Sequence, residues 1–122
     1  MDEDKVLIIM TSGPDTPRRC ATPFFFATLA VAMDYEATMF FTIDGTLLLK
    51  KGMAETIYPK AGGKPVSDFL QEAMDAGVTF LACTASTELH DLQPSDLIEG
   101  VKMVGGASMW QIAEDCKTVL TF

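Results

Sequence analysis

The sequence predicts an α/β fold, a single doubly wound parallel sheet of five strands with helices on both faces. Short apolar runs alternate with segments of helical length along the whole chain, as strands and crossover helices do in parallel sheets. Gly, Pro and Asp residues stand at most of the boundaries between these segments, where turns are expected. The length of 122 residues suits one domain over 1–122.

Five segments are predicted to be strands. Residues 6–10 (VLIIM) form a continuous apolar run before a Gly-Pro turn, which is typical of a strand covered on both faces. Residues 36–43 form the second strand, which ends in a turn at Asp44. The third strand, 78–82, leads into Cys83 and a polar segment. Two shorter strands are predicted at 101–104 and 118–122.

Two longer helices are predicted between these strands. The first begins near residue 21 or 22, tolerates Pro23 in its first turn and ends near Asp34. The second covers about 66–76, where apolar residues recur at helical spacing and Gly77 stands in the stopping position. Shorter helical segments are predicted at 46–51, 94–98 and 108–116.

The first helix is apolar on almost every side, because only Thr22 and Thr28 are polar between residues 21 and 33. A helix that faces a sheet on one side and water on the other shows a polar stripe. This helix therefore needs a second partner, and we expect another copy of the chain. The sequence predicts a homo-oligomer built partly on Phe24 and Phe25.

Charge and cysteine content narrow the function classes. The formal net charge of -8 argues against nucleic acid, whose phosphates require a basic face. The longest apolar segment, 21–33, is too short to span a membrane, and no signal-peptide pattern opens the chain. Three cysteines, an odd number, suit free thiols in a reducing compartment. We expect a cytoplasmic protein that binds neither nucleic acid nor membrane.

A flavodoxin-like strand order, 2-1-3-4-5, is the expected arrangement of the sheet. In that order the switch point lies between the first and third strands, and ligands collect beyond the strand ends there. The loop at 13–20 and the segment that begins at Cys83 would then face each other across one crevice. Cys20, Arg18 and Arg19 would lie near Cys83.

Cys83 is the principal candidate for chemistry. A thiol at the end of a strand, open to solvent, is placed to act as a nucleophile. If residues 84–90 begin a helical turn, the amides at its start lower the thiol pKa and raise the thiolate fraction. The alternative is a buried apolar residue, because free cysteines are among the most buried residue types. The hydroxyl-rich segment after Cys83 favours function.

Five residues are auxiliary candidates, and four of them have an ordinary alternative. Cys20 is a second thiol for the same crevice, or an incidental thiol before the first helix. His90 is a base for Cys83, or a surface residue. Arg18 and Arg19 hold an anionic sulfur donor, or form a solvated pair, and Ser12 lies on the same loop.

Several common chemistries lack their motifs. The chain has no nucleotide-binding G-x-x-x-x-G-K-[ST] or G-x-G-x-x-G, no C-x-x-C and no metal-ligand set. No metal or organic cofactor is therefore implied. A small-anion or nucleotide binder that uses Gly13, Arg18 and the pair Gly105 and Gly106 remains a weaker alternative.

The whole chain resembles the DsrE/DsrF-like family of sulfur-relay and sulfur-oxidation proteins. The resemblance rests on four segments: 5–13, 41–45, 66–76 and, above all, 80–86 (FLACTAS). In sulfur-binding members a cysteine at the end of this strand carries a persulfide, and Cys83 matches it. The resemblance also implies homotrimers or hexamers and exchange of sulfane sulfur with a small TusA-type carrier or a rhodanese.

The leading hypothesis is a cytoplasmic sulfur carrier or sulfurtransferase of a sulfur relay or oxidation pathway. Cys83 binds sulfane sulfur as a persulfide and passes it to a partner thiol, which needs only a reactive thiolate, an open approach and a leaving thiol. The alternative from another class is an oligomeric binding or scaffold subunit whose thiol takes no part in sulfur transfer.

Overall fold

Five parallel strands and four α-helices make up the protein in a computed structural model that describes residues 4–122. This confirms the predicted α/β fold with helices on both faces of a five-stranded sheet. The strands are Lys5–Met10 (β1), Glu36–Phe41 (β2), Thr79–Cys83 (β3), Val101–Val104 (β4) and Thr118–Thr121 (β5). The helices are Thr22–Ala32 (α1), Val66–Ala76 (α2), Thr84–Leu89 (α3) and Gly106–Glu114 (α4). Short 3-10 segments occupy Pro17–Arg19, Ile43–Leu49, Ala54–Thr56 and Pro94–Asp96.

The strand order is β4-β3-β2-β1-β5, so the predicted flavodoxin-like order is wrong. Strand β2 lies between β1 and β3 and pairs with both, and β5 pairs with the other side of β1. The right-handed crossover rule fixes the side of the sheet that each helix takes once the neighbours are known, but it does not choose the neighbours. Both β1 and β2 are apolar enough for a central position, so the local pattern does not distinguish the two orders.

The strand order places the helices on opposite faces. The chain steps from β1 to β4 in one direction, so right-handed crossovers put α1 and α2 on one face. The last connection returns past three strands to β5, and its helix, α4, therefore covers the other face. The two buried clusters agree, since α1 and α2 residues belong to one cluster and α4 residues pack against the other.

Three phenylalanines fix α1 against the sheet. Phe24 of α1 is fully buried, and its ring centroid lies 5.8 Å from that of Phe41 and 6.0 Å from that of Phe80. Phe41 and Phe80 lie 5.4 Å apart on neighbouring strands. Such aromatic pairs contribute about 0.5–1.5 kcal/mol each beyond area burial. Phe24 is thus a core residue, and its predicted place in a contact between copies is wrong.

The outer side of α1 is apolar and exposed. Phe25 is 51% exposed and Met33 is 67% exposed, and Phe26 and Leu29 are exposed beside them. All four residues of β5 are exposed as well. This surface matches the expectation that α1 has no polar stripe. Among the described residues no helix combines the length and apolar character needed to cross a membrane.

The turn after β2 is tightly constrained. Ile43 has φ of 52°, a left-handed conformation that costs a β-branched residue about 1–3 kcal/mol. Gly45 packs against β1 so closely that a Cβ would lie 2.2 Å from the Met10 carbonyl oxygen. A Cβ on Gly13 would lie 2.5 Å from the Asp44 carbonyl oxygen. The loops after β1 and β2 therefore touch through backbone, and only glycine fits at both positions.

Gly45→Ala tests this close packing. The added methyl group overlaps the Met10 carbonyl, so we expect a loss of about 2–3 kcal/mol in the free energy of unfolding, measured by urea denaturation. Gly105→Ala is the matched control, because no atom lies within 4 Å of its Cβ position. We expect Gly105→Ala to stay within about 0.5 kcal/mol of wild type. Equal effects from the two variants would contradict the role of Gly45.

Candidate functional site

Cys83 lies where predicted, at the carboxyl end of β3. It pairs in register with Val104 of β4, and the preceding residue, Ala82, pairs with Phe41 of β2. Thr42, the residue that follows β2, is therefore the neighbour of Cys83 at this edge of the sheet. The Cys83 side chain points to the α4 face, in the cluster with Leu81.

The thiol is less open than predicted. Cys83 is 8% exposed, because residues of β4 and α4, Val104 and Met109 among them, pack against the same cluster. This corrects the expectation of a sulfur that lies freely in solvent. The residue still retains some exposure, whereas Cys20 has none.

Helix α3 begins directly after the thiol, which confirms the helical turn expected there. Cys83 is the N-cap residue, with φ of -73° and ψ of 122°. The amides of Ala85 and Ser86 occupy the second and third helical positions, whose N–H groups have no partner within the helix. The thiol makes no capping hydrogen bond, so these two donors are free to meet a negative charge on sulfur.

Ser86 links the start of α3 to the turn after β2. Its hydroxyl oxygen accepts a hydrogen bond from the Ile43 amide at 2.7 Å. It lies 3.0 Å from the hydroxyl of Thr42. Ser86 is buried, and its oxygen therefore joins the ends of β2 and β3 beside Cys83.

These groups lower the pKa of Cys83. Burial alone raises the pKa, since it disfavours the charged thiolate. The Ser86 amide, the Ser86 hydroxyl, the Ala85 amide and the Thr42 hydroxyl, which can all donate to a thiolate, outweigh burial and leave the pKa below its usual value. All four donors are neutral, and three of them belong to the first turn of α3.

Cys20 does not share a crevice with Cys83. It belongs to the cluster on the α1 and α2 face, so the sheet separates the two thiols. The loop that carries Cys20 follows β1, whereas Cys83 ends β3, and β2 lies between these two strands. Two strand spacings amount to roughly 10 Å. The Cys20 thiol donates to the carbonyl oxygens of Gly13 and Thr16, both at 3.3 Å. Burial raises its pKa to about 11, despite the opposing charge of Arg19.

The arginines make no hydrogen bond or ion pair with Cys83. Arg18 and Arg19 are exposed on the 3-10 segment after β1, and Nε of Arg19 donates to the hydroxyl of Ser12 at 3.2 Å. Neither guanidinium contributes to the lowered pKa of Cys83. The predicted meeting of Arg18, Arg19 and Cys83 is wrong, because it depended on β1 and β3 being neighbours.

His90 follows α3 and contacts Asp44 rather than sulfur. Its Nε2 atom lies 3.1 Å from Oδ1 of Asp44, in the turn after β2. This contact is a second link between that turn and α3. His90 contributes nothing to the lowered pKa of Cys83. In residues 4–122 no group of three or more His, Cys, Asp or Glu side chains is arranged to hold a metal ion.

Thr42, Ile43 and Ser86 are site residues that the sequence did not single out. The hydroxyl-rich segment after Cys83 was a signal for Ser86, since its place as the third helical residue follows from a helix that starts at Thr84. Thr42 could be found only once β2 was known to pair with β3. The left-handed backbone of Ile43 has no signature in the sequence.

The chain matches the model of the DsrE/DsrF-like family over residues 4–122. The chain is 27% identical over 106 residues to the uncharacterized protein MJ0760 of Methanocaldococcus jannaschii, a match that covers 84% of this chain and 37% of that protein. It is 26% identical over 100 residues to the uncharacterized protein MK0008 of Methanopyrus kandleri, with 82% and 78% covered. The chain thus spans little more than a third of MJ0760.

Solved structures share the fold. The ychN protein from E. coli superimposes with a TM-score of 0.81 at 18% identity, over 97% of this chain and 98% of that one. Protein MTH1491 from Methanobacterium thermoautotrophicum superimposes with a TM-score of 0.67 at 16% identity, over 97% of each chain. At such identities these structures support the fold alone.

The rate of alkylation should distinguish Cys83 from the other two thiols. Because the pKa of Cys83 is lowered and that of Cys20 is raised to about 11, we expect iodoacetamide near neutral pH to modify Cys83 at least about a hundredfold faster than Cys20. Peptide mass mapping over time gives both rates, and Cys83→Ser is the control that removes the fast site. The rate at Cys83 should also level off at lower pH than that of Cys116, whose pKa is raised by burial. Faster modification of Cys20 would contradict the site.

Proposed function

Because the chain belongs to the DsrE/DsrF-like family, we propose that it is a sulfur carrier that holds sulfane sulfur as a persulfide on Cys83. Membership supports a role related to sulfur relay in general. The observation that supports the finer proposal is the thiol at the end of β3, with four neutral donors facing its sulfur. This arrangement favours a thiolate without help from a metal or a cation.

The proposed transfer moves one neutral sulfur atom and needs no external oxidant or reductant. The Cys83 thiolate attacks the outer sulfur of a donor persulfide, R–S–SH. The new sulfur–sulfur bond forms as the bond to R–S breaks, and the donor leaves as a thiolate that takes up a proton. Cys83 then carries –S–SH. In delivery, an acceptor thiolate attacks this outer sulfur and the Cys83 thiolate is the leaving group.

The family resemblance points to a small TusA-type carrier or a rhodanese as donor or acceptor. Both would present their reacting sulfur on a protein surface. We propose the cytoplasm as the site of exchange, and three unpaired cysteines are compatible with such a reducing compartment. The loop arginines lie away from Cys83, so a free anionic donor would meet no guanidinium at this thiol.

Assembly of copies is part of the proposal. The family is generally oligomeric, and we propose a homotrimer, or a hexamer, built through the helix at 21–33. The support is the exposed apolar side of α1, which continues onto β5 across an apolar groove. Phe26 and Leu29 of α1, together with Met33 directly after it, line one side of this groove, and Leu120 lines it from β5.

A second candidate is a subunit whose thiol takes no part in transfer. The limited exposure of Cys83, 8%, favours it, since a visiting sulfur needs a path to the thiolate. The small-anion alternative has less support. Gly13 leaves no room at its Cβ position because Asp44 occupies it, and Arg19 is already bonded to Ser12.

Sulfur loading tests the proposal. After incubation of the full chain with polysulfide and removal of the excess, we expect intact mass to increase by one or more sulfur atoms, with the adduct mapped to Cys83. Cys83→Ser should lose the adduct. Cys20→Ser and Cys116→Ser, the matched controls, should keep it because neither thiol contributes to the site. A wild-type protein that takes up no sulfur would favour the subunit with a silent thiol.

Assembly is tested by a charge on the apolar surface of α1. Leu29→Glu places a carboxylate in the proposed contact, so we expect it to reduce the mass of the particle measured by light scattering. Leu89→Glu is the control, because Leu89 is also exposed but lies on α3. A wild-type monomer, or an oligomer that Leu29→Glu leaves intact, would contradict the proposed contact.

A further inference from the structure

The hydroxyl of Ser86 has few ways to satisfy its hydrogen bonds. The Ile43 amide can only donate, so the Ser86 oxygen accepts from it at 2.7 Å. The Thr42 and Ser86 hydroxyls, 3.0 Å apart, then share a single hydrogen bond in which either one donates. Each hydroxyl has one proton, so whichever accepts this bond retains its own proton for another acceptor. Cys83 is the neighbour of both residues, because it caps the helix in which Ser86 is the third residue and lies beside Thr42 where β2 and β3 end.

The turn that supplies the Ile43 amide contains a backbone conformation that isoleucine disfavours. Ile43, whose amide donates to Ser86, adopts φ of 52°, and its side chain is half exposed rather than buried. Its carbonyl oxygen accepts from the Thr46 hydroxyl at 2.9 Å, and the Thr42 carbonyl oxygen accepts from the Gly45 amide at 2.9 Å. Outliers of this kind persist only when surrounding contacts fix them, and they concentrate at functional sites.

We propose that Ser86 is a positioning residue: its hydroxyl, fixed by the Ile43 amide and paired with Thr42, keeps one hydroxyl proton directed at the Cys83 sulfur. The inference rests on the proposed function, because a poised thiolate matters only where Cys83 is the reacting sulfur. Ser86 acts through Cys83 and need not touch the donor. The lowered pKa of Cys83, to which both hydroxyls contribute, agrees with this role.

Charged groups near the site do not account for the thiolate. The ionisable residues on the neighbouring elements are Asp44 in the turn after β2, Glu88 and His90 at the end of α3, and Lys102 on β4. Asp44 and His90 are paired with each other. None of the four contributes to the pKa shift of Cys83. The hydroxyl pair and the two helix amides therefore act without an ionic partner.

Two variants that each remove one hydroxyl test the proposal. Ser86→Ala and Thr42→Val should each move the pH profile of Cys83 alkylation to higher pH and slow the reaction at neutral pH by roughly tenfold, the effect of one pKa unit. Thr42→Ser keeps the hydroxyl and should stay within about twofold of wild type. Rates are measured with iodoacetamide by peptide mass mapping, after circular dichroism has shown that each variant is folded.

Thr87→Val is the matched control. Thr87 lies beside Ser86 in α3 and is buried, but its hydroxyl donates to the Thr84 carbonyl oxygen and not to the site. It should leave the pH profile in place. A profile that Ser86→Ala and Thr42→Val leave unchanged, or that Thr87→Val moves as far, overturns the inference. Should Ser86→Ala fail to fold, Thr42→Val gives the same answer.

The readout separates this inference from the proposed function. Alkylation needs no sulfur transfer, so a shifted profile together with no polysulfide adduct on wild type would leave the positioning role standing and end the carrier proposal. An adduct on wild type together with unshifted profiles would support the carrier proposal and overturn the positioning role of Ser86.

Discussion

The hydrogen bond from the Ile43 amide to the Ser86 hydroxyl is the interaction on which the site depends. It joins the turn after β2 to the first turn of α3, and Cys83 lies between them at the end of β3. Because β2 and β3 are neighbours in the sheet, one short side chain can span the gap. The contact between His90 and Asp44 ties the other end of α3 to the same turn.

Local sequence predicted the elements of the fold and failed on their order. The apolar runs, the glycine after α2 and the change to hydroxyl residues at Cys83 all act within a few residues, and they placed the five strands and the longer helices correctly. Strand order depends on contacts between segments far apart in the chain. The burial of β1 on both faces fits either order, so no short pattern could show that β2, and not β3, lies beside β1.

The wrong strand order also gave Cys83 the wrong neighbours in the predicted site. The predicted order placed Cys20 and the two arginines near Cys83, whereas the structure has Thr42 beside it. The strand-end position of Cys83 did not depend on the order, and for that reason it was predicted correctly. The exposure of Cys83 was not predicted correctly, because the residues that cover its thiol belong to β4 and α4. No local sequence pattern describes how these two elements pack.

Neutral donors suit a thiol that must both take up and release sulfur. A lower pKa increases the thiolate fraction and makes sulfur a better leaving group, but it also weakens the thiolate as a nucleophile. In the proposed cycle Cys83 attacks in the first step and leaves in the second, so an extreme pKa would favour one step at the expense of the other. Burial, which raises the pKa, opposes the amides and hydroxyls that lower it. An arginine beside the sulfur would have shifted this balance further towards the thiolate, and the loop arginines of this chain lie away from it.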